Sequence, residues 1–298
     1  LASKHLAFKP LRGADVEVQG WPTLGTAAER DAWIKATDYK RKLDSGETPT
    51  RDLELETLAG VLNGEILVHM HCYRADQMAT MLDVAKEFGF KINAFHHAVE
   101  AYKIADLLAE TQTCGALWAD WWGFKLEAWD AINENIAIVD AARSEKGPGC
   151  AIAHSDDPDG IQRLNQEAAK ALAAGRRAGL AISDEHAIGW LTANPAKALG
   201  ILDRTGTLEV GKAADVVLWS GSPFSVYAHA DLVWIDGALR LDRAHPHGVR
   251  GVQARHEQRR LPAVDVHRAP AVRLAHAKRP VEEALLAEQA LVDRKSVV

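Results

Sequence analysis

Between about residues 60 and 200, short apolar runs alternate with stretches whose apolar residues recur at helical spacing. Glu65 to His71 reads as a buried strand. Gln77 to Phe88 carries Met78, Met81, Leu82, Ala85 and Phe88 on one helical face and stops at Gly89. The same alternation predicts strands at Phe90–His97, Cys114–Asp120 and Gly149–Asp156. It predicts helices at Ala101–Ala109, Trp129–Arg143, Gln162–Ala174 and Asp184–Thr192. The run from Leu191 then reads as a helix ending at Gly200, a turn, and a short buried strand at Ala214–Trp219. Strands and helices that alternate in this way form βαβ units and a parallel sheet. Four consecutive units with polar residues at the strand C-terminal ends suit part of a (β/α)8 barrel, whose chemistry sits at that rim.

The flanks differ. His5 to Lys9 reads as a strand end, Ala27 to Leu43 as a polar helix, Ser45–Pro49 as a linker, and Asp52 to Leu62 as a helix stopped by Asn63–Gly64. Past Gly206, Ala214–Trp219 and Asp231–Ile235, with Asp236–Gly237 as a turn, read as short β elements. His245 to Pro280 is rich in Arg, His, Ala, Pro and Val without clear periodicity. Five of the 13 histidines fall there without ligand spacing. The pattern divides the chain into three segments: 1–205 with alternating strands and helices, 206–243 with short β elements, and 244–298 as an atypical extension, disordered or out of frame. A reading-frame slip after about Arg243 in a GC-rich gene would also give such a tail, and sequencing the gene tests this.

Bulk properties add limits. A chain of 298 residues holds one large domain or two modest ones. Its net charge of -6 argues against a nucleic-acid or anionic-membrane partner, and no apolar run approaches the roughly 20 residues of a membrane helix. The three cysteines, Cys72, Cys114 and Cys150, are odd in number and widely spaced, which predicts no disulfide framework. The first residue is Leu rather than Met, so the missing signal peptide leaves the cytoplasm and the periplasm both open.

His69 and His71 lie two apart on one strand and so share a face. His97 ends the next strand, and Asp156 ends the last; Asp157 is its alternative, farther from the strand. Imidazole nitrogens and a carboxylate at one rim suit zinc or a similar divalent ion. His96, adjacent to His97, should point away from it, outside the barrel. Trp121 and Trp122, in a cluster with Trp118 and Trp129, are the candidates for aromatic pocket contacts.

Several stretches resemble the metal-dependent amidohydrolases of the imidazolonepropionase-like group. They are Leu67–Asp76, Ala94–Lys103, Asp120–Trp122 with Lys125–Ala128, His154–Pro158 with Arg163–Ala169, and the closing signature of Leu191–Gly200 followed by Gly206–Trp219. The resemblance covers about residues 45–243. It implies an α/β fold, a partial TIM-like (β/α)8 barrel (about strands 4–8) followed by part of a small β-sandwich domain. It implies His69 and His97 as fifth- and sixth-strand metal ligands, and Asp156 as eighth-strand ligand and catalytic proton carrier. One or two divalent ions, zinc by preference, would be held there. His71, Tyr102, Trp121 and Trp122 would then contact substrate. No first-strand His-x-His pair precedes His69, so the resemblance implies an N-terminal truncation of about three strands; Lys9 is the candidate fourth-strand bridging lysine. The implied activity is hydrolysis of carbon–nitrogen, non-peptide amide bonds by an activated water. The implied substrate is a small amide or peptide-like molecule, with room for a homo-oligomer. A prolidase-like peptidase, a deaminase, a lactonase and a non-catalytic barrel fragment are the alternatives.

Overall fold

The computed structural model describes residues 24–121 and 126–245. Lys9, Trp122, the strand end at His5–Lys9 and residues 246–298 lie outside the described residues. The chain divides into two compact units at Ala151/Ile152.

In the first unit, α1 (Leu24–Asp44) buries Trp33, Ala36 and Tyr39. Trp33 stacks on Phe90 at 4.1 Å between ring centroids, and Arg30 pairs with Glu87 at 3.1 Å. Helix α2 (Leu53–Leu62) starts where the Asp52 carboxylate accepts from the amides of Glu54 and Leu55, two donors that no helical turn can satisfy. Strand β1 (Val68–Cys72) leads to α3 (Ala75–Phe88), whose buried face is Ala75, Met78, Met81, Leu82, Val84 and Ala85. It ends at Gly89, left-handed at φ 76°, as the sequence predicts. Next come β2 (Ile92–His97), a 3₁₀ turn at Ala101–Ile104, α4 (Ala105–Thr111), β3 (Cys114–Leu117) and α5 (Asn135–Ala141). A small antiparallel pair, β4 (Arg143–Ser144) and β5 (Gly147–Pro148), precedes β6 (Cys150–Ala153). A Cβ at Gly149 would collide with the Val139 carbonyl, so only glycine fits at the entry to β6.

Strands β1, β2 and β3 pair in parallel, and the sheet order is β1-β2-β3-β6. With their intervening helices they form an arc of βαβ units, the α/β architecture expected. Two expectations fail. Residues 129–143 are not one helix, because Trp129–Glu134 is a turn and α5 begins at Asn135. The cysteines do pair: Cys114 and Cys150, each almost fully buried, form a disulfide across 36 positions. The pairing depends on strand neighbours, which spacing along the chain does not reveal.

In the second unit, α6 (Leu164–Arg177) buries a face of small residues, Ala168, Ala171, Ala174 and Gly175, around Leu172. The short helices α7 (Asp184–Ala187) and α8 (Ala193–Ala198) follow, the latter closed by Gly200 at φ 67°. Strands β7 (Val216–Trp219), β8 (Ala230–Ile235) and β9 (Ala238–Asp242) form an antiparallel sheet. The expected turn is present, with Asp236 and Gly237 both at positive φ. Strand β7 is half-buried rather than buried. Asp215 ties this unit together: its carboxylate accepts from the Asp236 amide at 2.9 Å and from the Thr205 hydroxyl at 3.0 Å. No helix among the described residues is long and apolar enough to cross a membrane.

Candidate active site

The C-terminal ends of β1 and β2 carry four histidines. In the parallel register His69 lies beside Ala94, His71 beside His96, and Cys72 beside His97. Register neighbours share a face, so His69, His71 and His96 line one side. Nδ1 of His69 is 3.0 Å from Nε2 of His96, and the rings of His71 and His96 stack at 5.6 Å and 17°. This corrects the expectation that His96 turns outward. Its face is set by the register between β1 and β2, which the sequence leaves undetermined.

Alternation alone would put His97 on the opposite face. Instead His97 and Ala98 take positive φ, 68° and 33°, conformations that cost L-residues energy. The turn brings Nε2 of His97 within 2.6 Å of Nδ1 of His71. His97 is 2% exposed, its ring 4.5 Å from Trp118 and 5.0 Å from Tyr73. Trp118 packs with Val99 and Ala128 beneath it.

The 2.6 Å separation tests the ligand chemistry. Two nitrogens bound to one tetrahedral zinc ion sit about 3.3 Å apart, from Zn–N bonds of about 2.0–2.1 Å. These two nitrogens therefore share a proton rather than an ion. The pair therefore joins His71 and His97 directly through Nδ1 of one ring and Nε2 of the other. The Nδ1 of His69 is engaged by His96, which orients its ring.

The turn after His97 is held by several groups. The Ala98 amide donates to the Cys72 carbonyl at 2.9 Å and the Glu100 amide to the Tyr73 carbonyl at 3.1 Å. The buried Glu100 carboxylate accepts from the Ala75 amide at 2.9 Å and pairs with Lys103 at 3.2 Å. Lys103 also reaches Asp130 at 2.6 Å. Burial works against the Lys103 charge, but Asp130 and Glu100 outweigh it and raise its pKa. Tyr102 donates its hydroxyl to the Asp130 carbonyl at 2.9 Å, and burial raises its pKa. Burial also pushes the Cys72 thiol up to about 11. Trp121 is 37% exposed, its ring 6.4 Å from Trp118.

In the second unit, β6 runs into His154, Ser155, Asp156 and Asp157. Asp156 is exposed and left-handed, at φ 59°. The Asp157 carboxylate accepts from the Gly160 amide, and the Ser155 hydroxyl accepts from the Asp157 amide at 3.1 Å. Asp157 is thus committed to its own turn.

Of the residues expected from sequence, the structure brings His69, His71 and His97 together. Tyr102 lies on the adjoining turn, and Trp121 at the edge of the Trp118 cluster. The sequence reading missed His96, Tyr73, Glu100 and Asn135 as parts of this rim. A signal for the first was present, since three histidines two residues or one strand apart already mark a shared edge.

Residues 129–241 match the Amidohydrolase family. The chain is 34% identical over 197 residues to amidohydrolase tasK of Hapsidospora irregularis, an alignment covering 64% of this chain and 19% of that protein. The crystal structure of an amidohydrolase from Thermotoga maritima MSB8 superimposes with a TM-score of 0.63 at 33% identity, over 73% of this chain and 55% of that one. Residues 129–241 are thus an Amidohydrolase family segment, and the chain resembles amidohydrolases over most of its length. Imidazolonepropionases of Brucella suis and Brucella abortus are 57% identical over 35 residues, 12% of this chain and 9% of theirs. The chain spans about half the length of the solved relative and about a fifth of tasK. The family match begins at Trp129, so the histidine rim of β1 and β2 lies upstream of it.

Proposed function

We propose that this chain carries part of the active site of a metal-dependent hydrolase that cleaves carbon–nitrogen, non-peptide amide bonds in a small substrate. The observation that carries the reading is the strained turn that swings the buried His97 onto the face of His69 and His71, at the C-terminal edge of parallel strands. Strained backbone persists where the surrounding structure over-determines it, and such sites are commonly functional. In this reading residues 1–205 serve as barrel and 206–243 as β-sandwich.

The donor set fits a borderline divalent ion, zinc by preference. By residue type, His69 and His97 offer imidazoles and Asp156 a carboxylate. Lys9 is kept as the bridging candidate. One or two such ions would supply Lewis acidity toward the amide carbonyl and make a water molecule more acidic. The protein's own residues do the rest. An Asp156 carboxylate oxygen takes the proton of the attacking water and returns it to the leaving nitrogen. His71 donates a hydrogen bond to the carbonyl oxygen. Tyr102, Trp121 and Trp122 contact the substrate body.

Elemental mass spectrometry of this chain and of the full-length product of its gene is the test. Near one or two equivalents of zinc in the full-length protein, lost in His97→Ala and Asp156→Asn, is the expected result. A metal-free full-length protein would overturn the reading, and screening small amides follows only if metal is bound.

A further inference from the structure

We propose that Asn135 is the positioning residue that aims the His97 imidazole. The proposal rests on the reading of His97 as a metal ligand and extends it to a residue 38 positions away that touches neither ion nor substrate. Asn135 opens α5 and is 2% exposed. Both amide hydrogens and the amide oxygen of its side chain are engaged, and each of these bonds goes to the turn after β2. Nδ2 donates to the carbonyl of Ala98 at 3.0 Å and to that of Val99 at 3.2 Å. Oδ1 accepts from the amide of Tyr102 at 2.8 Å. One side chain thereby fixes both ends of the segment that follows His97.

The turn needs such a clamp. His97 and Ala98 are consecutive non-glycine residues at positive φ, and each relaxes to negative φ unless its flanking peptides are held. The backbone bonds from Ala98 to Cys72 and from Glu100 to Tyr73 fix where the amides point. Asn135 fixes the carbonyls on the opposite side. Without its two donors, the Ala98 and Val99 carbonyls are buried and unpaired, and the cheapest relief is rotation of the Ala98–Val99 and Val99–Glu100 peptides, which lets Ala98 and then His97 return to negative φ. That rotation swings the imidazole off the His71 face. A short polar side chain is required: glutamine adds a methylene in a filled site, while aspartate keeps the acceptor and turns both donors into acceptors facing carbonyls.

Three variants of the full chain separate positioning from general stability. Asn135→Asp and Asn135→Ala remove the donors, the second without adding charge. Thr113→Val is the control, since Thr113 is equally buried and donates to the Ile92 carbonyl at 3.1 Å, at the far end of the same strand. The first readout needs no metal: the ¹⁵N–¹H imidazole spectrum, in which the His71–His97 hydrogen bond gives a shifted, protected ring proton. The second is cobalt(II) affinity with its d–d absorption. The expected result is loss of the shared ring proton and a fall in cobalt affinity of about tenfold or more in both Asn135 variants, with both retained in Thr113→Val. An unchanged ring-proton signal in Asn135→Ala overturns the proposal, and so does loss of folding in both Asn135 variants. If the wild type binds no cobalt while the ring proton still depends on Asn135, the metal reading falls and the positioning role stands.

Discussion

Breaking the Cys114–Cys150 disulfide should be the most destabilising two-atom change in the first unit. The bridge closes a segment of 36 positions, so in the chain-entropy description it removes about 13 cal/mol/K from the unfolded ensemble, or about 3.8 kcal/mol at 25 °C. A unit of this size shifts its midpoint by about 2–4 °C per kcal/mol, which predicts a loss of about 8–15 °C. Both sulfurs are almost fully buried, so a reductant added to the folded protein will act slowly, and the comparison must use protein refolded with and without reductant. Thermal unfolding followed by circular dichroism is the assay, with alkylation and peptide mass mapping as the count of free thiols. Cys114→Ala with Cys150→Ala should melt near the reduced wild type and be indifferent to reductant. Three free thiols in the non-reduced protein, Cys114 and Cys150 as well as Cys72, would refute the reasoning outright. An intact bridge whose reduction moves the midpoint by less than about 2 °C would refute the magnitude.

Two further outcomes are expected. Ala98→Gly should leave the His97 turn in place and be neutral or stabilising by up to about 1 kcal/mol, because glycine accepts positive φ without strain; a clear loss of stability in denaturant titration would contradict the strain assigned there. The Cys72 thiol, held up at about 11 by burial, should resist alkylation at pH 8. Its folded value lies above the unfolded 9.0, so its contribution of roughly 2–3 kcal/mol is complete below pH 9 and lost between pH 9 and 11; Cys72→Ala should abolish that part of the alkaline fall.

Much of the fold is legible along the chain because local signals agree with the global one. The Met78–Met81–Leu82–Ala85 spacing and Gly89 mark α3, and Asp236–Gly237 marks the β8–β9 turn. What could not be read depends on placement between elements. The face of His96 follows from a register of 25 positions between His71 and His96, and no local pattern encodes that offset. The disulfide requires knowing that β6 lies next to β3. The turn at Trp129–Glu134 looks helical in spacing, yet Lys103 and Tyr102 draw both the carboxylate and the carbonyl of Asp130 into tertiary bonds. In the candidate site, His69, His71 and His97 were visible as residue types at strand ends. Asn135 was not, since an asparagine at a helix start reads as a cap, and its work is done on a distant turn.

Asp215 has a consequence for how relatives of this chain are recognised. It stands in the stretch Gly206–Trp219 that most readily marks the family, and its carboxylate is spent on the Asp236 amide and the Thr205 hydroxyl. That stretch is a joint rather than a tool, so a lineage that has lost its catalysis would keep the joint for as long as it keeps the fold. The signature is therefore shared by working enzymes and retired ones alike, and under the function proposed above the difference between them falls at His69, His97 and Asp156.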